Sequence, residues 1–119
     1  MVMSVKTKFK LTKQMRDWVK SKRRVLSEEA LVNLLEETQG RCALSQVKMR
    51  FDAKEHLLYA SVGYISPANK EKGYQIICRG LNDIKGHLPF DCFEALQGTE
   101  AWKSLMRAWR YQWEISKNK

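Results

Sequence analysis

The chain has 119 residues, of which 44% are hydrophobic and 29% charged, proportions typical of one globular domain rather than a disordered polymer. Lysine and arginine number 22 against 13 aspartate and glutamate residues, which gives a formal net charge of +9. No apolar run approaches the ~20 residues that cross a bilayer, and no apolar stretch follows the basic start as in a secretory signal, so we expect a cytoplasmic protein with no membrane partner.

Nearly all of the excess charge lies in the first 26 residues. They hold nine lysine and arginine residues and one aspartate, whereas residues 27–119 are close to neutral. A block of this kind is typical of a surface for a polyanion, because each neutralised phosphate releases condensed counterions. A solvated tail, or a surface for an acidic protein or a lipid, is the alternative.

The first predicted unit, residues 1–26, is a basic arm followed by a helix. Residues 1–9 alternate loosely, which predicts a short edge strand or an extended arm. From Leu11 the apolar residues recur at helical spacing, with Met15 and Trp18, and Thr12 is the predicted cap. We expect the opposite face to bind phosphates; the candidate residues are Lys10, Lys13, Arg16, Lys20, Lys22, Arg23 and Arg24.

The second predicted unit, residues 27–98, mixes helix and strand signals. Ser27, followed by two glutamates, predicts a helix N-cap, and Gly40 predicts the end of that helix. Residues 57–65 and 74–78 have the composition of strands. Short helices are predicted over residues 81–85 and between Pro89 and Gly98.

The third predicted unit, residues 99–119, is an amphipathic helix capped by Thr99. Its apolar stripe carries three tryptophans at helical spacing, Trp102, Trp109 and Trp113. Because large aromatic side chains dominate buried area, core packing is the favoured interpretation, and a groove on a protein partner is the alternative.

Catalytic signals are scarce in this sequence. The two histidines, His56 and His87, lie outside metal-binding motifs, and no glycine-rich phosphate loop or GxSxG elbow occurs. Three cysteines, Cys42, Cys78 and Cys92, include no CxxC pair, which argues against a disulfide framework and fits a reducing compartment.

Four segments in the middle of the chain carry a family resemblance. They read GRCALS at 40–45, ASVGYISP at 60–67, GY at 73–74 and CRGLNDIK at 78–85. In order and spacing they resemble the HNH endonucleases of phages and mobile elements, over roughly residues 38–96. The resemblance implies an α+β fold in which a small ββα unit, here flanked by N-terminal and C-terminal helices, holds a divalent cation against the scissile phosphate. It also implies the host-cell cytoplasm for a phage-encoded protein.

The resemblance places the metal-binding and general-base positions of that family at Gly63 and Tyr64. Glycine offers no ligand, and a tyrosine with a pKa of ~10 is a poor base at neutral pH. The family's central Asn has no counterpart after Tyr74. Asn82 stands where the family has its closing ligand, with Lys85 one turn later.

A metal cofactor is therefore not expected. One amide cannot hold Mg²⁺ alone, because such sites recruit carboxylates together with substrate phosphates. The structural zinc of some relatives needs two cysteine pairs, but Ser45 and Leu81 stand where the partners of Cys42 and Cys78 would lie.

Three hypotheses follow. The first is a catalytically inactive HNH-like protein that binds DNA or structured nucleic acid, with Arg79, Asn82 and Lys85 as secondary contacts. The second is an active nuclease that uses Mg²⁺ or another divalent cation at a rebuilt site; its candidate residues are Asn82, Asp83, His87 and Asp91, with Asp52 or His56 from the hairpin side. The third is a phage or mobile-element protein that binds a host protein through the tryptophan stripe.

Overall fold

The computed structural model describes residues 9–66, 69–88 and 92–115. Within them the elements in chain order are α1 (Lys13–Ser21), α2 (Glu28–Thr38), β1 (Ala60–Tyr64), a 3₁₀ turn (Lys70–Lys72), β2 (Tyr74–Cys78), α3 (Arg79–Gly86), α4 (Cys92–Gln97) and α5 (Glu100–Arg110), which continues into a π-helical turn (Tyr111–Ile115). The fold is a small α+β fold, which confirms the predicted class. The predicted arm lies almost wholly outside the described residues, as do Pro89 and Asp91. None of the described helices is long and apolar enough to span a membrane.

The caps of the first two helices are the predicted ones. Thr12 Oγ1 accepts a hydrogen bond from the Met15 N–H, and Ser27 Oγ accepts one from the Ala30 N–H, each at 3.1 Å. At the end of α2 the left-handed conformation begins one residue before the expected glycine, at Gln39 (φ 59°), and continues at Gly40 (φ 76°).

The two strands form an antiparallel hairpin. Its register runs from the pair Ala60↔Cys78 to the pair Tyr64↔Tyr74. The first strand begins later than the predicted residue 57. Of the three carbonyls before it, those of Leu57 and Tyr59 accept from the start of α3, and that of Leu58 accepts from the Arg50 N–H in an isolated bridge.

Helix α3 is held against the hairpin through its own first turn. The Arg79 N–H donates to the Tyr59 carbonyl at 2.7 Å, and the Gly80 N–H donates to the Leu57 carbonyl at 2.9 Å. These bonds satisfy N–H groups that a helix otherwise leaves unpaired at its start, and no side chain caps α3. Two strands followed by a packed helix give the chain a ββα unit.

Helix α1 shares one core with this unit. Trp18 and Val19 are buried, and the Trp18 Nε1–H donates to the Ala60 carbonyl at 3.1 Å. The core continues through α2, β2 and α3, with Leu31, Leu35, Ile76, Ile77 and Leu81 all at most 2% exposed.

The C-terminal helices close the other side of the core. Phe93 of α4 meets Trp102 of α5 edge to face, with ring centroids 5.4 Å apart. Trp102 is buried and Trp109 and Trp113 are half-buried, so the predicted stripe packs on this chain's own core. An ion pair of 2.9 Å between Arg41 and Glu114 fixes the π-helical turn.

Candidate nucleic-acid interface

The outward face of α1 is a basic surface. Its apolar side is anchored by the buried Trp18 and Val19, and this orients the opposite side chains toward solvent. The exposed cations on α1 and next to it are Lys10, Lys13, Arg16, Lys20, Arg23 and Arg24. We call these six residues the α1 basic face.

Only part of this charge is balanced by acidic groups. Lys13 pairs with Asp17 at 2.9 Å, and Arg23 pairs with Glu28 at 3.6 Å; the contact with Lys13 lowers the pKa of Asp17. Over the described ranges, the other four residues of the α1 basic face have no carboxylate within ion-pair distance. Arg16 instead donates to the Leu11 carbonyl at 2.8 Å.

Three cations of the α1 basic face, Lys10, Arg16 and Lys20, come together around a groove between α1 and α2. The groove has a volume of about 510 Å³ and an apolar floor formed by Leu11, Val19 and Val32, with Glu28 at its edge. The structure thus concentrates positive charge at this groove.

Lys22 departs from the other predicted contacts. Its ammonium lies 5.4 Å from the ring centroid of Tyr59, on the core side of the chain. Partial burial, together with the charge of Lys54, lowers the pKa of Lys22. This lysine therefore belongs to a different surface from the α1 basic face.

Arg79 lies on the ββα unit with its guanidinium already in use. It donates to the Glu55 carbonyl at 2.7 Å and pairs with Asp83 one turn later at 3.5 Å. Its side chain is partly exposed, and these two contacts use Nη1 and Nε and leave Nη2 out.

Asn82 and Lys85 meet in front of Gly63. A Cβ atom placed on Gly63 would lie 2.9 Å from Asn82 Oδ1 and 3.9 Å from Lys85 Nζ. Asn82 Nδ2 donates to Ser61 Oγ at 3.1 Å, and Lys85 Nζ donates to the Tyr64 carbonyl. Of the positions that the resemblance assigns to the site, Gly63 and Asn82 are thus brought together; they offer one amide, and the polar groups beside them are the Ser61 hydroxyl and the Lys85 ammonium.

Lys85 is buried to an unusual degree for a lysine. It is 6% exposed, and its Nζ lies 5.1 Å from the ring centroid of Phe93 on α4. Burial lowers the pKa of Lys85, because the charged form loses hydration. A phosphate contact at this lysine requires the phosphate oxygen to reach into the space beside Gly63.

The described candidates for a rebuilt nuclease site are not grouped into a metal site, and Asp91 lies outside the described residues. His87 is exposed beyond α3, and Asp83 pairs with Arg79. Asp52 pairs with Arg50 at 3.1 Å, and His56 Nδ1 accepts from the Leu58 N–H at 3.0 Å. Over the described ranges, no three His, Cys, Asp or Glu residues are grouped so that they could hold a metal ion.

Cys42 and Cys78 form a buried thiol pair. Cys42 Sγ accepts from the Ser45 N–H at 3.5 Å, and both cysteines are at most 1% exposed. Hydrogen bonding from Cys78 and Ser45 lowers the pKa of Cys42, and the same contact with Cys42 raises the pKa of Cys78. Ser45, predicted to replace a zinc ligand, is itself fully buried beside this pair.

Two features of the ββα unit were missed by sequence reasoning. Gln75 pairs with Gly63 in the hairpin register, and its Nε2 is buried with no hydrogen-bond partner among the residues that the structure describes. Tyr64 and Tyr74 stack with centroids 4.9 Å apart, and Lys70 lies 5.2 Å from the Tyr64 centroid. The hairpin register pairs Gly63 with Gln75, so a known register would have placed Gln75 beside Gly63.

Comparisons of this chain with protein-family models, with curated proteins and with solved structures find no match.

Proposed function

We propose that this protein binds nucleic acid, DNA in the first instance, through the α1 basic face, with the ββα unit as a secondary contact. The observation that carries the proposal is the α1 basic face itself: a helix anchored in the core holds a row of cations outward, and most of them have no acidic partner among the residues that the structure describes. Such a row can follow a phosphate backbone, and counterion release then drives binding.

The charge distribution favours a polyanion over a small anionic ligand. Residues 1–26 carry nine of the 22 lysine and arginine side chains and one of the 13 acids. The groove between α1 and α2 gathers three of these cations around one opening. In this proposal the HNH-like ββα unit is a binding framework without hydrolytic activity.

The test is the salt dependence of binding to a fluorescently labelled duplex of ~20 bp, measured by anisotropy from about 50 to 200 mM salt. The variant is the double substitution Arg16→Gln with Lys20→Gln. The matched control is Lys103→Gln with Arg107→Gln, which removes the same two residue types from the exposed face of α5. Deleting residues 1–26 is unsuitable, because that also removes Trp18 and Val19 from the core.

Wild-type affinity should fall steeply with salt, and the α1 variant should reduce the slope of log K against log salt by about two, since each lost phosphate contact reduces it by about 0.9. The control should change the slope little. Undetectable binding at low salt, or equal losses in both variants, would refute the proposal. Nicking of a supercoiled plasmid with Mg²⁺ or Mn²⁺, lost in His87→Ala, would favour an active nuclease instead.

A further inference from the structure

The face of the hairpin that packs toward α3 has small and polar residues near the loop end of the strands. Gly63 and Gln75 are paired in register and so lie on one face of the hairpin, with Ser61 two residues before Gly63 on that face. Asn82 and Lys85 of α3 face Gly63 across the gap. We call these five residues the Gly63 niche. Gly63, Gln75 and Asn82 are half-buried and Lys85 is buried, so the niche lies at the edge of the core.

The Gly63 niche has hydrogen-bond donors to spare. Gln75 Nε2 is buried without a partner in the described part of the chain, and an unpaired buried donor is unfavourable because it has lost its hydrogen bonds to water. The Lys85 ammonium carries three N–H groups, of which one donates to the Tyr64 carbonyl. Because the Ser61 hydroxyl can also donate, rotation of the Asn82 amide keeps their bond and turns Nδ2 toward the niche.

The same groups do not fit a cation. The niche contains no carboxylate, imidazole or thiolate, and an ammonium in it repels a metal ion. Two acids lie on the elements nearby, and each is paired elsewhere: Asp83 with Arg79 and Glu94 with Lys72. A partly desolvated lysine attracts an anion more strongly than an exposed lysine does, because the local dielectric constant is lower.

On the premise that the protein binds nucleic acid as proposed above, we propose that the Gly63 niche is an anion subsite that takes one phosphate oxygen of the backbone. Lys85 supplies the charge and Gln75 the second donor. Glycine is required at position 63 because a Cβ atom there would lie 2.9 Å from Asn82 Oδ1 and displace the Asn82 amide. The ββα unit thus contacts phosphate directly, through its own positive charge and not through a divalent cation.

The first experiment needs no nucleic acid. A ¹⁵N-labelled sample is titrated with inorganic phosphate at constant ionic strength set with chloride, and the Gln75 side-chain amide and the Gly63 backbone amide are followed by NMR. Saturable shifts of both signals are expected. They should be lost in Lys85→Met, which keeps the length of the side chain, and in Gly63→Ala, whose Cβ would approach Asn82 Oδ1 to 2.9 Å. Lys103→Met should retain them.

The second experiment measures duplex binding by the same variants. Lys85→Met should lower the salt slope by about one relative to Lys103→Met. If duplex binding is absent but phosphate still shifts Gln75, the nucleic-acid function fails and the anion subsite stands. If the duplex binds and Lys85→Met alters neither the phosphate shifts nor the slope, the subsite is refuted while the function stands. Shifts that survive in both niche variants also refute it.

Discussion

Gly80 lies in direct contact with Trp109, and a Cβ atom on Gly80 would come within 2.7 Å of Trp109 Cη2. The contact joins the first turn of α3 to the last turn of α5, in which Trp109 lies. These two elements are far apart in sequence. Leu57 closes the same spot, at 3.3 Å from that Cβ position. The close approach of α5 therefore depends on a residue with no side chain at position 80.

Gly80→Ala is expected to destabilise the protein by about 1–3 kcal/mol, because the large indole and the surrounding core must shift to admit a methyl group. The measurement is the midpoint of urea denaturation, with the slope checked for two-state behaviour. Gly86→Ala is the matched control. It lies in the same helix, and among the described residues no atom outside its chain neighbours and its own helix backbone lies within 4 Å of the new Cβ, so the substitution should be neutral or stabilising by about 0.5–1 kcal/mol. Equal effects of the two substitutions would contradict the contact.

Trp18→Phe is expected to lower stability because it removes the hydrogen bond between Nε1 and the Ala60 carbonyl and leaves that buried acceptor unpaired. Loss of the partner costs about 1–3 kcal/mol, to which the smaller ring adds a packing loss. Trp113→Phe is the control, since Trp113 is half-buried and its ring packs against the rings of His56 and Trp109. Urea denaturation should show a larger loss of stability for Trp18→Phe than for Trp113→Phe. A smaller loss for Trp18→Phe would argue against α1 as part of the core.

The three thiols are expected to react in two classes. Cys92 is exposed, whereas Cys42 and Cys78 are buried. An aromatic disulfide reagent should therefore modify one thiol rapidly, and the other two only as fast as the protein opens. Cys92→Ser should abolish the fast phase alone. Three fast thiols in the native protein would show that the core around Cys42 is not closed.

The sequence predicted the elements whose signals are local. Thr12, Ser27 and Thr99 cap helices where expected, because a side-chain oxygen and the N–H three residues later lie on one short segment. The second strand also begins and ends as predicted, at Tyr74 and Cys78. Positions that depend on distant partners were not predictable in this way: nothing near Gly80 in sequence indicates Trp109.

The same difference between local signals and distant contacts decides which parts of the candidate site were predictable. The α1 basic face was predictable, since charge and helical spacing place those residues together. The burial of Lys85 was not, because a lysine is normally exposed, and it arises from packing against residues of other elements, among them Phe93 of α4 and Tyr64 of β1. Gln75 was missed for the same reason: its role depends on the residue opposite it in the hairpin.

The burial of Lys85 predicts a pH dependence of stability. Its pKa is lowered in the folded protein relative to the ordinary value of 10.5, so between those two values the unfolded state binds more protons than the folded state. Stability therefore rises with pH across that window, as the buried ammonium loses its proton. Lys85→Met removes this term, and its stability relative to wild type should be highest near neutral pH and fall as the pH approaches 10.

The measurement is urea denaturation of wild type and variant side by side at several pH values in a buffer free of phosphate. Using the difference between the two proteins cancels the other alkaline groups, among them Lys22, whose pKa is also lowered, and Tyr59, whose pKa is raised by burial. Lys103→Met, which removes the same charge from an exposed position on α5, serves as the comparison. A difference between wild type and Lys85→Met that does not change with pH would mean that Lys85 is hydrated in solution, and a hydrated Lys85 would also weaken the case for a desolvated cation in the Gly63 niche.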